Sequence, residues 1–178
     1  MNNRGITLVE LLVVVSIIGI LVVVLAFNYR GWMGRYKMEG ATKTLQMDLM
    51  DARNQAVQRA ATFLADFPTT MTYRVGSDTS GNGTIEEAEV LNTFPIDPIS
   101  LKREKRVDYT ITGGVLLTFD SKGLIYSGSP TPVLIDPANP VQISLTPPTE
   151  VDADYDCIRI GPTRINMGKM QGVVCNVK

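Results

Sequence analysis

From Ile6 to Phe27 almost every position is apolar, and Glu10 is the one charge in the run. As a helix, residues 6–27 rise about 33 Å at about 1.5 Å each, which matches a hydrocarbon core of roughly 30 Å. A secretory signal peptide has a shorter apolar region and a small-residue cleavage site after it. Here the run continues past Ala26 into charged, helix-compatible sequence, so the pattern predicts a single membrane anchor. The pattern then changes to a stripe, Ala41, Leu45, Leu49, Ala52, Ala56, Ala60 and Phe63, in steps of three and four. That is the helical period, and Asp48, Asp51, Arg53, Gln55, Gln58 and Arg59 fall largely off it. Pro68 sets a limit. One helix is expected from about 7 to about 61, apolar all round in its first half and amphipathic in its second.

Beyond Pro68 the helical period is lost. Short β-prone runs take over at 70–75, 90–94, 107–112, 115–120, 124–127, 141–146, 157–161 and 173–177, separated by turn residues such as Gly113-Gly114 and Pro147-Pro148. The stretch 127–140 is rich in Pro, Ser and Asp and reads as an exposed loop. No period of 20–50 residues repeats. The fold class is α+β: a long N-terminal helix packed on an antiparallel β-sheet domain that covers its stripe.

Composition narrows the chemistry. The chain of 178 residues has net charge −1 and no histidine, which removes the commonest general base and the commonest transition-metal ligand. There is no phosphate-binding glycine loop, and no nucleophile has a base to serve it. The expectation is a protein that is not an enzyme.

Glu10 disturbs the anchor. A carboxylate inside a membrane helix is costly, by roughly 3 kcal/mol on insertion scales, unless it is partnered or snorkels to the interface. A chain cut after Gly5 would present a new α-amine at Ile6, four residues before Glu10 and able to neutralise it on the same or a neighbouring subunit. The stretch Arg4-Gly5-Ile6-Thr7-Leu8-Val9-Glu10 and the apolar residues that follow closely resemble the prepilin signature of type IV pilins and type II secretion pseudopilins. The resemblance implies cleavage after Gly5 by a prepilin peptidase, methylation of Ile6 and a role for Glu10 in assembly. It also implies partners: other pilin or pseudopilin subunits and an inner-membrane assembly platform. The residue after the cut is usually Phe or Met and here is Ile6, and the proline that often kinks this helix is absent. On this reading residues 1–5 are a leader, 6–27 the transmembrane and filament-core helix, 28–61 its amphipathic continuation and 62–178 a β-rich head. The head would lie in the periplasm before assembly, and in a pilus or pseudopilus after it. Arg30, Arg35 and Lys37 against Arg4 would by a simple positive-inside count put the N terminus outside; the resemblance implies the opposite.

Two weaker patterns, Leu49–Arg59 leading into residues 61–66 and Leu117-Thr-Phe-Asp-Ser-Lys-Gly123, are similar to a helix end with a first strand and to a turn in the GspH/FimT-like minor pilins. That branch often carries an Asp-x-Asn-x-x-Gly insertion. Here Asp78, Ser80, Asn82, Thr84, Glu86 and Glu89, around Gly83, fit the twelve-position spacing of a calcium loop; a plain hairpin turn is the alternative. Some members of the branch bind DNA through a Gly-Arg-x-Arg tail. Arg164 and Lys169 are the comparable basic residues, with solvated strand-edge charges as the alternative. Cys157 and Cys175 would pair if the head faces an oxidising compartment, closing a loop worth about 3 kcal/mol. Three functions stay open: a structural minor pilin or pseudopilin, a pilus-tip DNA binder, and a membrane-anchored calcium-binding domain that never assembles.

Overall fold

The computed structural model describes residues 7–85, 105–106, 110–129, 131–146 and 152–178, with side chains described for all of these except 24–31, 105, 106 and 111. A single helix, α1, runs from Leu8 to Arg59 without interruption. Thr7 caps it: its Oγ1 accepts from the Glu10 N–H at 3.2 Å, filling one of the donors that a helix start leaves open. The expected end near residue 61 comes slightly early. Ala60 turns left-handed (φ 50°, ψ 38°), and Ala61 N–H reaches back to the Ala56 carbonyl at 3.1 Å while Ala60 N–H reaches that of Val57. This is a Schellman closure. It removes Ala60 from the predicted stripe and leaves it exposed.

The head is two antiparallel sheets. The first contains β1 (Phe63–Thr69), β2 (Thr72–Ser77), β3 (Lys105–Arg106), β5 (Leu117–Phe119), β6 (Ile125–Ser127) and β7 (Val133–Leu134), in the order β3-β2-β1-β5-β6-β7. The second contains β4 (Thr110–Thr112), β8 (Val141–Thr146), β9 (Cys157–Ile160), β10 (Ile165–Gln171) and β11 (Val174–Val177), in the order β11-β10-β9-β8-β4. The α+β class is as expected. Several strand positions are not. The run at 70–75 splits: Thr70 and Met71 form the turn between β1 and β2, where Thr69 Oγ1 lies 2.6 Å from Thr72 Oγ1. The strand before it holds Pro68. The chain tolerates a proline there because the β1–β2 register shifts between Asp66 and Thr69, and a bulge spares the missing N–H. The loop expected at 127–140 contains β7, whose Leu134 pairs with Tyr126, and Ile135 beyond it is buried. Strand β10, which the sequence pattern does not predict, lies between β9 and β11 and is held by pairing on both sides. The strand expected at 90–94 lies outside the described residues.

The core sits between the second half of α1 and both sheets. Met38, Thr42, Leu45, Leu49, Ala52 and Ala56 form the buried helical stripe. They pack with Phe63, Tyr73, Phe119, Ile143, Ile158, Ile160 and others in one cluster. Polar ties fix the register. Thr42 Oγ1 donates to the Tyr155 carbonyl at 3.2 Å, Gln46 Nε2 donates to the Ile165 carbonyl at 3.0 Å and Arg53 Nε donates to the Gly123 carbonyl at 2.7 Å. Tyr73 is buried and its hydroxyl donates to Asp48 Oδ2 at 2.5 Å. Burial first, then the charge and hydrogen bond of Asp48, push the Tyr73 phenol far above its ordinary 10.0. The helix and head are therefore one packed body from Met38 to Arg59.

Candidate assembly surface

Among the described residues, none outside the helix packs against α1 from Leu8 to Val23. From Leu8 to Val23 its apolar side chains are exposed on every side, with Leu8 at 79% and the most sheltered, Val14, at 48%. A helix that is apolar all round is ordinarily buried, and a continuous apolar surface of this extent marks a lipid or protein contact. Its few polar groups are tied locally. Ser16 Oγ donates to the Leu12 carbonyl at 2.8 Å, and the Thr7 hydroxyl serves the cap. Glu10 is exposed on this surface, and its side chain is the one charge among residues 7–23. Among the described residues no helix is long and apolar enough to cross a membrane. The apolar side chains described, residues 8–23, span about 24 Å at about 1.5 Å per residue. Gly5 and Ile6, the expected processing site, lie outside the described residues.

The expected calcium loop is half described. Asp78 Oδ1 accepts from Asn82 N–H and Oδ2 from Gly83 N–H, both at 3.1 Å. Asn82 Oδ1 accepts from both the N–H and the hydroxyl of Thr84, at 2.8 and 2.7 Å. Gly81 and Gly83 hold positive φ, both 71°, which makes the tight turn possible. Ile85 then buries against Leu64 and Leu116 on the side of β1 away from α1, so the loop is pinned to the head. Ser80 and Thr84 are part of it, but the ligands at positions nine and twelve, Glu86 and Glu89, lie outside the described residues. Among the described residues no three acidic, Cys or His groups gather to hold a metal.

Arg164 and Lys169 do not converge. Arg164 sits in the turn before β10, and Lys169 lies five residues along that strand, about 16 Å away at about 3.3 Å per residue. Lys169 forms an ion pair with Asp152, which Arg35 approaches at 3.7 Å. Lys178 pairs with Asp154 at 2.7 Å. Lys43 and Lys178 both lie near the Tyr155 ring, 6.0 and 5.8 Å from its centre. These contacts fasten the 152–156 segment, the last strand and α1 together.

Cys157 and Cys175 form a disulfide with Cα atoms 6.0 Å apart. The bridge joins β9 to β11 across the strand between them. Gly168 of β10 pairs with Cys157, and a Cβ on it would meet Cys175 Sγ at 3.1 Å and the Asn176 carbonyl oxygen at 2.2 Å. The glycine is what lets the two outer strands close over the middle one. The turn Leu117–Gly123 has an equally local cause. Asp120 Oδ1 accepts from Lys122 and Leu124 N–H at 2.9 and 2.7 Å, Gly123 takes φ 76°, and its carbonyl receives Arg53. The motif docks the turn on α1.

The Trp32–Tyr36 ring stack on α1 and the Asp48–Tyr73 bond are among the contacts that lie beyond what the sequence predicts. The one-turn spacing of Trp32 and Tyr36 on the polar side of the stripe carries a signal for the former; the latter pairs residues far apart in the chain and has none.

Residues 1–26 match the family model described as the prokaryotic N-terminal methylation motif. No curated protein and no solved structure matches the chain.

Proposed function

Starting from a chain that carries the N-terminal methylation motif of type IV pilin-like proteins, we propose that it is a structural subunit, a minor pilin or minor pseudopilin, of a type IV pilus or a type II secretion pseudopilus. Processing removes residues 1–5 and leaves Ile6 as the methylated first residue. The helix waits in the inner membrane with the head in the periplasm. It then transfers into the core of a filament, where the helices of other subunits replace lipid around it.

The observation that carries this reading is the unsupported first half of α1, apolar on every side and bearing Glu10 alone. Lipid covers such a surface as well as protein does. A plain anchor, however, gains nothing from a carboxylate in its apolar run, whereas a filament gains register. The ammonium of one subunit's Ile6 and the Glu10 of the next neutralise each other only when the two helices are correctly staggered. The direct test is Glu10→Val. It leaves the chain membrane-bound and folded, and it lowers incorporation into filaments by an order of magnitude or more; incorporation at the wild-type level would sink the assembly role.

The two remaining readings draw less support. A DNA-capturing tip needs converging basic residues, and Lys169 is held by Asp152 at the far end of β10 from Arg164. A calcium-binding anchor that never assembles leaves Glu10 without a purpose. Calcium at the Asp78 loop would serve the head's stability rather than chemistry. A higher melting temperature on adding millimolar calcium to chelator-treated protein is its test.

A further inference from the structure

Trp32 and Tyr36 lie one turn apart on α1, just beyond the apolar run. Their rings stack with centroids 6.1 Å apart and planes inclined by 23°, and both are exposed, at 63% and 67%. At about 100° per residue they sit about 140° around the helix from the buried stripe Met38, Thr42, Leu45, Leu49, Ala52 and Ala56. They therefore lie off the face that packs on the described part of the head. Exposed Arg35 and Lys37 flank them, and Arg30 precedes them in the sequence.

We propose that Trp32 and Tyr36, with Arg35 and Lys37, form an interfacial anchor that seats in the headgroup layer of an anionic bilayer, on the side where the head emerges. The inference rests on the reading of residues 6–27 as membrane-embedded before assembly. Three features select lipid as the occupant. The first is position. The helical rise from Leu8 to Trp32 is about 36 Å at about 1.5 Å per residue, between the roughly 30 Å of a bilayer's hydrocarbon core and its about 40–45 Å with headgroups. A helix that starts at one interface therefore delivers these rings to the other. The second is chemistry. Trp and Tyr each combine an apolar ring with a polar tip, which suits the boundary between acyl chains and headgroups. The third is charge: the exposed Lys37 ammonium complements lipid phosphates, and Arg35 adds to it from a guanidinium that also approaches Asp152 at 3.7 Å.

The anchor has a consequence for Glu10, which lies about 33 Å before Trp32 along the helix. With the rings fixed at one interface, Glu10 is held close to the opposite one, where a carboxylate is tolerated. The anchor thus stores the subunit at a depth that keeps its assembly charge solvated until it is extracted.

Trp32 is the single tryptophan of the chain, so its fluorescence reads the site directly. The full-length protein is reconstituted into vesicles of phosphatidylethanolamine and phosphatidylglycerol and recovered by flotation. The proposal predicts blue-shifted emission and iodide quenching several-fold weaker than for a free tryptophan analogue. It also predicts stronger quenching by lipids brominated near the headgroup than by lipids brominated near the chain end. Arg35→Gln with Lys37→Gln should shift emission back toward the red. Protein that floats with the vesicles while Trp32 emits as in water and is freely quenched by iodide overturns this inference and leaves the membrane reading of residues 6–27 standing. Protein that stays out of the vesicle fraction overturns both. A blue shift that appears only at high protein-to-lipid ratio assigns the face to a second copy of the chain and overturns the lipid assignment.

Discussion

Ala60 holds a left-handed backbone, φ 50° and ψ 38°, and among the described residues it is the non-glycine residue with positive φ. Its Cβ is strained there, and its side chain is exposed, so nothing is lost by removing it. Ala60→Gly should stabilise the chain by about 0.5–1 kcal/mol, read as a higher urea midpoint for the detergent-solubilised protein; a lower midpoint would show that the Schellman closure is not strained. Gly168 is the opposite case. A Cβ there would press on the Asn176 backbone and the Cys175 sulfur, so Gly168→Ala should destabilise by about 1–3 kcal/mol, with Gly172→Ala in the exposed β10–β11 turn as a milder comparison. Neither position is legible in the sequence. Ala60 resembles any helical alanine on the apolar stripe. The need for glycine at 168 arises from the close approach of the Asn176 backbone and the Cys175 sulfur, which only the folded pairing of β10 with β11 creates. Glu10 and the two cysteines, by contrast, are visible at once, because a charge in an apolar run and a pair of thiols are anomalies in their own right.

Among the elements, α1 and its buried stripe are legible because only a helix keeps apolar residues at a period of 3.6 over several turns. Strands β8 and β9 are also legible, both being rich in β-branched or apolar alternation. Strand β1 is harder. Its Pro68 argues against a strand until the bulge that accommodates it is seen. Strand β10, Ile-Asn-Met-Gly-Lys-Met-Gln, has little intrinsic β character and exists because it is paired on both sides. The segment 152–156 is a connecting element whose role is electrostatic. Lys169, with a smaller part from Arg35, holds the Asp152 carboxyl below its ordinary 3.8, and Lys178 does the same for Asp154. A carboxylate with a depressed folded pKa contributes stability that is present above its unfolded pKa and is lost as pH falls through the folded one. The contacts that tie this segment to α1 and the last strand should therefore hold from neutral pH down to the ordinary carboxylate range and weaken below it. Both groups lie at the surface, so the effect is screened. Replacing Asp152 and Asp154 together with Asn should flatten the acid limb of the melting temperature against pH and should reduce the salt sensitivity near neutrality; an unchanged acid limb would show that these pairs do not stabilise the head.

The whole molecule divides by what covers its apolar surface. From Met38 to Arg59 the helix is covered by its own head, through one core and a set of side-chain bonds from Thr42, Gln46, Asp48 and Arg53. From Leu8 to Val23 the apolar side chains stand exposed, without cover from the described part of the head. The bare half is legible in the sequence because the run of apolar residues is so long. What covers that surface is a property of partners and lipid, and a single chain does not contain them. The proposed function requires that the chain be cut after Gly5, methylated on Ile6 and built into a filament. The intact mass of the native protein, purified in parallel from sheared surface filaments and from the inner membrane, reads the first two directly and locates the product. A species beginning at Ile6 and carrying one added methyl group is expected, in the sheared fraction for a pilus subunit or confined to the membrane for a pseudopilus subunit. An uncut chain beginning at Met1 in every fraction would refute the assignment.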